Sequence, residues 1–353
     1  MRSSIRLFRI AGINIQLHII TVFFFLLISI LGLNQILFFL VIFSLVLMHE
    51  LVHSLVALRN GVKVPKITLL PIGGLASIEL PEDPELELKV SIAGPLSNFF
   101  LAALLFGLMQ VLGFEYVSYG LISEGLIDGT MTLFDLEVFA SMLFSFNLIL
   151  GAFNLIPAFP MDGGRVFRGL LALWMDYMSA TKIALAVGRT LLLFFIVVGF
   201  FMNFWWVLVG VFLLFVGGGE VRMLSMKDSL RGLSFGEIAE CNTGVAYEGL
   251  TLREFYRNVY TPNIRYYFIT DSEGAFKGVL DVKRLNGLGM DPSKKVGGLA
   301  NKEYKSVKYS DKAVGGLKEV LNSGFALVTK NNRVYGYVTV ETLESNPGKV
   351  LSS

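Results

Sequence analysis

Charge is scarce in this sequence: of 353 residues only 16% are charged, against about 25% in an ordinary soluble domain. With 54% hydrophobic residues and a mean hydropathy of +0.64, that scarcity excludes an ordinary soluble enzyme. A formal net charge of +2 is too small for a nucleic-acid partner, which calls for a strong basic excess. Cysteine occurs once, as Cys241, which excludes an intramolecular disulfide framework and a cysteine-rich zinc module. Histidine occurs three times, yet two of the three fall in one pentapeptide, His49-Glu50-Leu51-Val52-His53.

What is plentiful is apolar sequence, and it is concentrated in residues 1–221. A bilayer core takes about 20 apolar residues of helix. Six stretches meet or approach that length: 15–33, 35–57, 88–112, 138–158, 183–202 and the shorter 203–218. Residues 64–80, around Gly73-Gly74, read as a β-hairpin, and 166–175 as a buried or interfacial helix. The expected fold is a polytopic α-helical membrane protein of about six spans with a short membrane-associated β-hairpin. A soluble α/β domain follows it. The expected boundary puts residues 1–230 in the membrane domain and 231–353 in the soluble one.

Basic residues set the orientation. Arg2, Arg6 and Arg9 precede the first span, and Arg59, Lys63 and Lys66 follow the second. Arg165 and Arg168 follow the fourth; Arg222, Lys227 and Arg231 follow the sixth. The loop at 113–137 has acidic residues but no Lys or Arg. Both termini are therefore expected in the cytoplasm, with the chain crossing the cell membrane several times.

His49 and His53, four apart on a helix, project from one face and can share a metal ion. Glu50 lies about 100° around the same helix, able to reach a water at that metal without taking a coordination position. All three sit in the cytoplasmic half of the second span, where ionisable groups are expensive and usually functional. A catalytic zinc takes three protein ligands and keeps a position for water. Asp162 is the candidate third ligand. The fourth span runs in the same direction as the second, so its end reaches the depth of His53. Pro157 and Pro160 break the helix there, and Gly163-Gly164 allow the backbone to approach the site. His18, near the start of the first span, reads as structural, and Asn147 as a contact between helices. Asn154, about two turns before Asp162, has two readings: a hydrogen bond to the oxyanion or scissile backbone, or a bond across helices.

His-Glu-Leu-Val-His in the second span, Ala93-Gly94-Pro95-Leu96-Ser97-Asn98 opening the third, and the 154–165 segment together resemble the site-2 protease family of intramembrane zinc metalloproteases. The resemblance covers most of residues 1–220. It implies one Zn2+ per chain bound by His49, His53 and Asp162, with Glu50 as general base. The implied activity is endopeptidase cleavage of transmembrane protein substrates near the cytoplasmic face, as in regulated intramembrane proteolysis. It also implies membrane-associated strands beside the site, and the 64–80 hairpin offers an edge for an unwound substrate to pair with. Val52 stands where many relatives have Gly, a change that bears on packing against the neighbouring helix. The compact form with a cytoplasmic tail resembles bacterial and archaeal members.

The tail contains a repeat. Tyr266-Tyr267-Phe268-Ile269-Thr270-Asp271 leads to Gly278-Val279-Leu280-Asp281, and Ala326-Leu327-Val328-Thr329-Lys330 leads to Gly336-Tyr337-Val338-Thr339. Each is a strand, a polar turn, a second strand and a helix start. The units, at about 233–290 and 296–345, resemble a cystathionine-β-synthase-type (CBS) domain pair. Such pairs bind adenine nucleotides or serve as dimerisation modules, and both roles stay open. The positions that match the family's ribose-binding Asp are Arg284 and Thr342. A rival reading is a membrane transporter or channel gated by the CBS pair, with the His/Glu cluster in an ion path. The spans show no clear internal repeat of the kind many transporters have, and an ion path needs no His pair at i and i+4. An inactive metal-binding scaffold would need a lost base or ligand, and none is lost.

Overall fold

A computed structural model of the chain describes residues 4–344 except 72, 77, 79, 129, 286–290, 303 and 332. Arg2, the turn residue Asn332 and the C-terminal end beyond Glu344 lie outside the described residues. The chain divides into two compact units, Met1–Val221 and Arg222–Ser353.

The first unit begins with strands β1 (Ser4–Ile10) and β2 (Ile13–His18), then helices α1 (Ile19–Ser29) and α2 (Leu33–Arg59). Strands β3 (Lys66–Leu70) and β4 (Gly73–Ala76) follow, and the expected hairpin is present. It is half of a four-stranded sheet of order β1-β2-β3-β4, in which β2 and β3 run parallel. The first apolar stretch is thus not one helix from residue 15: its start is β2. Alternation decides the matter locally, since Ile13 and Ile15 are fully buried while Asn14 and Gln16 are only partly so. His18 then caps α1 by accepting the Ile20 N–H on Nδ1 at 3.3 Å, a structural role as expected. Ile13, Ile15 and Ile67 pack on Ala57 of α2 and on Val64 and Val90, which fixes the sheet against the C-terminal end of α2.

Helices α3 (Pro84–Leu112), α4 (Tyr119–Asp128), α5 (Leu136–Asn154), α6 (Asp162–Ala172), α7 (Tyr177–Met202) and α8 (Phe204–Ser229) complete the membrane part. Asp83 starts α3 by accepting the Leu86 N–H, Pro84 fills its first turn, and Gly113 ends it at φ 72°. Among the described residues, α2, α3, α5 and α7 are long and apolar enough to cross a bilayer. Ile19–Ser29 and Phe204–Gly218 are shorter apolar helices at the places of the first and last expected spans. Each long helix turns one narrow stripe inward. On α2 the stripe is Leu45, His49, His53, Ser54 and Ala57; on α3 it includes Val90, Gly94 and Asn98.

The second unit repeats one arrangement twice. Strands β5 (Gly244–Tyr247), β6 (Tyr266–Thr270) and β7 (Phe276–Asp281) form one sheet; β8 (Lys305–Lys308), β9 (Phe325–Lys330) and β10 (Arg333–Thr339) form the other. In each, the first two strands are parallel and the last two antiparallel. A helix joins the parallel pair, Leu252–Asn258 or Ala313–Ser323, and a short one follows the third strand, Val282–Leu285 or Val340–Glu344. Gly274 at φ 81° and Asn331 at φ 51° make the two matching turns, the conformation Gly and Asn tolerate best. Tyr266, Phe268, Val279, Leu327 and Tyr337 form a core shared by the two sheets.

Candidate metal centre and a cleft in the second unit

The structure brings His49, His53 and Asp162 together. His49 Nε2 and His53 Nε2 lie 3.1 Å apart, and each is 3.0 Å from Asp162 Oδ2. Both histidines are buried, with the carboxylate partly so. The far nitrogens are also engaged. His53 Nδ1 faces the Val90 carbonyl at 2.6 Å, and His49 Nδ1 faces Asn98 Oδ1 at 2.5 Å. A carbonyl only accepts, so His53 donates from Nδ1 and leaves its Nε2 lone pair toward Asp162.

The arrangement has a local cause. Pro157 and Pro160 cannot continue α5, which stops at Asn154, and the chain turns before α6 opens with Asp162. Gly163 and Gly164 press on that turn: a Cβ on Gly164 would lie 2.9 Å from backbone atoms of Ala158 and Phe159. They serve this turn, and the close approach to the histidines is made by Gly94 of α3 instead. A Cβ on Gly94 would collide with His53 Nε2 and stand 2.8 Å from His49 Cε1.

Glu50 projects from the next position of α2 toward β4, where a Cβ on Gly74 would collide with its Cγ. Asn154 turns back on its own helix, its Nδ2 donating to the Leu150 carbonyl at 3.0 Å. Asn147 is fully buried and accepts from Asn98 Nδ2 at 2.9 Å, the interhelical contact expected of it.

One buried cluster was not expected. Arg168, which the sequence placed among the cytoplasmic basic residues, is 5% exposed and ion-paired with Glu87, itself 1% exposed. The Tyr177 hydroxyl donates to Glu87 at 2.9 Å, and the guanidinium lies over the Phe159 and Tyr177 rings. This ties the helix bearing Asp162 to α3 and to the start of α7. Glu87 gave no signal because its partner lies 81 residues away.

Residues 37–197 match the profile of Peptidase family M50. A zinc metalloprotease of Methanocaldococcus jannaschii is 37% identical over 264 residues, covering 72% of this chain and 71% of that one. The chain belongs to Peptidase family M50. It is a membrane zinc metalloprotease of the site-2 protease family. The solved site-2 protease from M. jannaschii is 38% identical, covering 62% of this chain and 94% of that one, with a TM-score of 0.45. The CBS domain of a bacterial CNNM/CorC-family Mg2+ transporter in complex with ATP is similar over 37% of this chain and 97% of its own, at 18% identity and a TM-score of 0.30.

The donor set suits an M50 zinc. Nitrogen and oxygen ligands at about 2.0–2.2 Å in a tetrahedron stand roughly 3.3 Å from one another. The three donors here lie within a few tenths of an ångström of that spacing. Three lone pairs converging this closely repel unless a cation lies between them, and a proton on one nitrogen would satisfy only one pair. Three protein donors leave a fourth position, the pattern of a catalytic rather than a structural zinc.

In the second unit a cleft of about 500 Å³ is lined by Arg265, Tyr266, Asp281, Lys283, Tyr304 and Phe325, among others. Arg265 pairs with Asp281 at 3.2 Å and with Glu341 at 2.8 Å. Burial, helped by the charge of Asp281, pushes the Tyr266 phenol up to about 12. The repeat-related position carries a polar cluster. There Glu240 accepts from the Tyr337 hydroxyl at 2.7 Å and from Thr342, which also bonds Thr339. Thr342, at one ribose-matching position, is therefore buried in a polar cluster; the side chain of Arg284, at the other, lies outside the described residues.

Proposed function

We propose that this chain is an intramembrane endopeptidase that hydrolyses peptide bonds of transmembrane proteins near the cytoplasmic face, in regulated intramembrane proteolysis. One zinc per chain is held by His49 Nε2, His53 Nε2 and Asp162. The convergence of these three donors on the buried face of a membrane-spanning helix carries the reading. Zinc, when bound, supplies a Lewis acid for the scissile carbonyl and makes a water acidic enough to be activated near neutral pH.

The chain's own residues supply the rest. Glu50 receives the proton of the attacking water on its carboxylate and passes it to the leaving amine. Asn154 releases the Leu150 carbonyl and turns its Nδ2 to the substrate backbone. A substrate helix hides its carbonyls in internal bonds, so it must unwind to be cut. β4 pairs only with β3 among the described residues, and an extended substrate adding to its other edge would run beside Glu50. Arg59, closing α2 on the side of His53, supports a site toward the cytoplasm, with both termini on that side.

The second unit takes an adenine nucleotide in its open cleft. Tyr266, Tyr304 and Phe325 provide faces for a base and Lys283 a cation for phosphate. A unit that shows no melting shift with ATP, ADP or AMP but elutes as a dimer would have the dimerisation role instead.

The test is reconstitution in liposomes with a single-span substrate and mapping of the cut by mass spectrometry. One zinc per chain and a cut in the cytoplasmic half are expected. A cut in the outer half, or cleavage of soluble peptides alone, would refute the assignment.

A further inference from the structure

His53 takes its polarity directly from a backbone carbonyl, but His49 does not. Its Nδ1 faces a side-chain amide, Asn98, which presents either an acceptor or a donor depending on its orientation. What orients Asn98 is Asn147 on α5, and what orients Asn147 is a backbone group. Asn147 Nδ2 lies 2.8 Å from the Leu143 carbonyl, Asn147 Oδ1 accepts from Asn98 Nδ2 at 2.9 Å, and Asn98 Oδ1 is left 2.5 Å from His49 Nδ1. Both amides are fully buried.

We infer that Asn98 and Asn147 are positioning residues which transmit the polarity of the Leu143 carbonyl across two helices to His49, holding its Nε2 as a lone pair. Leu143 O can only accept, so Asn147 must offer it the amide nitrogen and turn its oxygen to Asn98. Asn98 must then offer nitrogen to Asn147 and oxygen to His49, and His49 must carry its proton on Nδ1. Reversing both amides keeps the one bond between them but sets an oxygen against Leu143 O and a nitrogen donor against His49 Nδ1. The imidazole proton would then sit on Nε2 and occupy the metal-binding lone pair. Leu143 O is the one member of the relay that cannot turn around. Partners of a ligating histidine typically change metal affinity by about 10–100-fold when removed.

The inference rests on His49 being a zinc ligand, and the test separates the two. Zinc affinity is measured by chelator competition on the purified full-length protein, with the visible spectrum of the Co2+-loaded protein as a second readout. Thermal melts confirm that each variant is folded. Asn98→Leu should weaken zinc by about 10–100-fold, and Asn147→Leu, which frees Asn98 to turn, by about tenfold. Asn98→Asp should bind within about threefold of wild type, because either carboxylate oxygen accepts from His49 Nδ1; Asn147 Oδ1 loses its donor, a loss that falls on α5 and not on the imidazole proton. The deciding variant is the double Asn98→Asp/Asn147→Leu. A relay of polarity predicts that the carboxylate rescues the loss of Asn147, leaving affinity and Co2+ spectrum close to those of Asn98→Asp alone. A purely packing role for Asn147 predicts the full Asn147→Leu loss again, and that result overturns the inference. If His49→Ala and His53→Ala bind zinc as wild type does, the ligand assignment itself fails.

Discussion

Gly94→Ala adds one methyl group at the most crowded point of the metal centre. The new Cβ would overlap His53 Nε2 and stand 2.8 Å from His49 Cε1, where ordinary contact begins at 3.4 Å. Neither neighbour can yield cheaply: His53 is held at Nδ1 by Val90 O on the same helix as Gly94, and His49 by Asn98. Relief therefore needs the imidazoles or α3 itself to move by on the order of 1 Å. A displacement of that size costs a catalytic arrangement about a hundredfold in rate. Gly107→Ala in the same helix is the control, since its Cβ would meet nothing within 4 Å. It should leave activity intact and stabilise α3 by about 0.5–1 kcal/mol. The assay is zinc affinity by chelator competition, beside cleavage of a membrane-spanning substrate by both variants. Gly94→Ala with wild-type zinc affinity and cleavage would refute the account of the site's packing.

Three further outcomes follow from the structure. Glu87→Gln removes the buried carboxylate paired with Arg168 and should destabilise the fold by about 3–5 kcal/mol, read as a lower melting temperature and weaker zinc retention. Chelation of zinc should abolish cleavage and lower the melting temperature, both restored by added zinc, because a ligand bound only by the folded state stabilises it. The Tyr266 phenol, raised in the fold to about 12, contributes stability that is fully present below about pH 10 and is lost as pH rises through about 12. Phenolate absorbance should show this late titration in wild type and lose one such group in Tyr266→Phe.

Much of the site was legible because its signals are local. The pentapeptide needs only helical spacing to bring two imidazoles onto one face, and Pro157 and Pro160 announce the break that delivers Asp162. The repeat in the second unit was legible for the same reason, since strand, turn and strand occupy about fifteen consecutive residues. Features made by distant partners were not. Asn147 reads as a contact between helices, but its partner Asn98, 49 residues away, does not announce itself, and neither does the pairing of Glu87 with Arg168, 81 residues apart. β2 was hidden differently. Its alternation is six residues long and runs straight into the apolar α1, so a window sized for a membrane span averages the two together.

The central claim is that Glu50 is the proton carrier beside a zinc held by other residues. The most direct test compares wild type and Glu50→Gln for zinc content and for cleavage of a membrane-spanning substrate in the same preparation. The account predicts unchanged zinc content with cleavage reduced by about 10²–10⁴-fold, the usual contribution of a general base. Equal cleavage by the two proteins would contradict it.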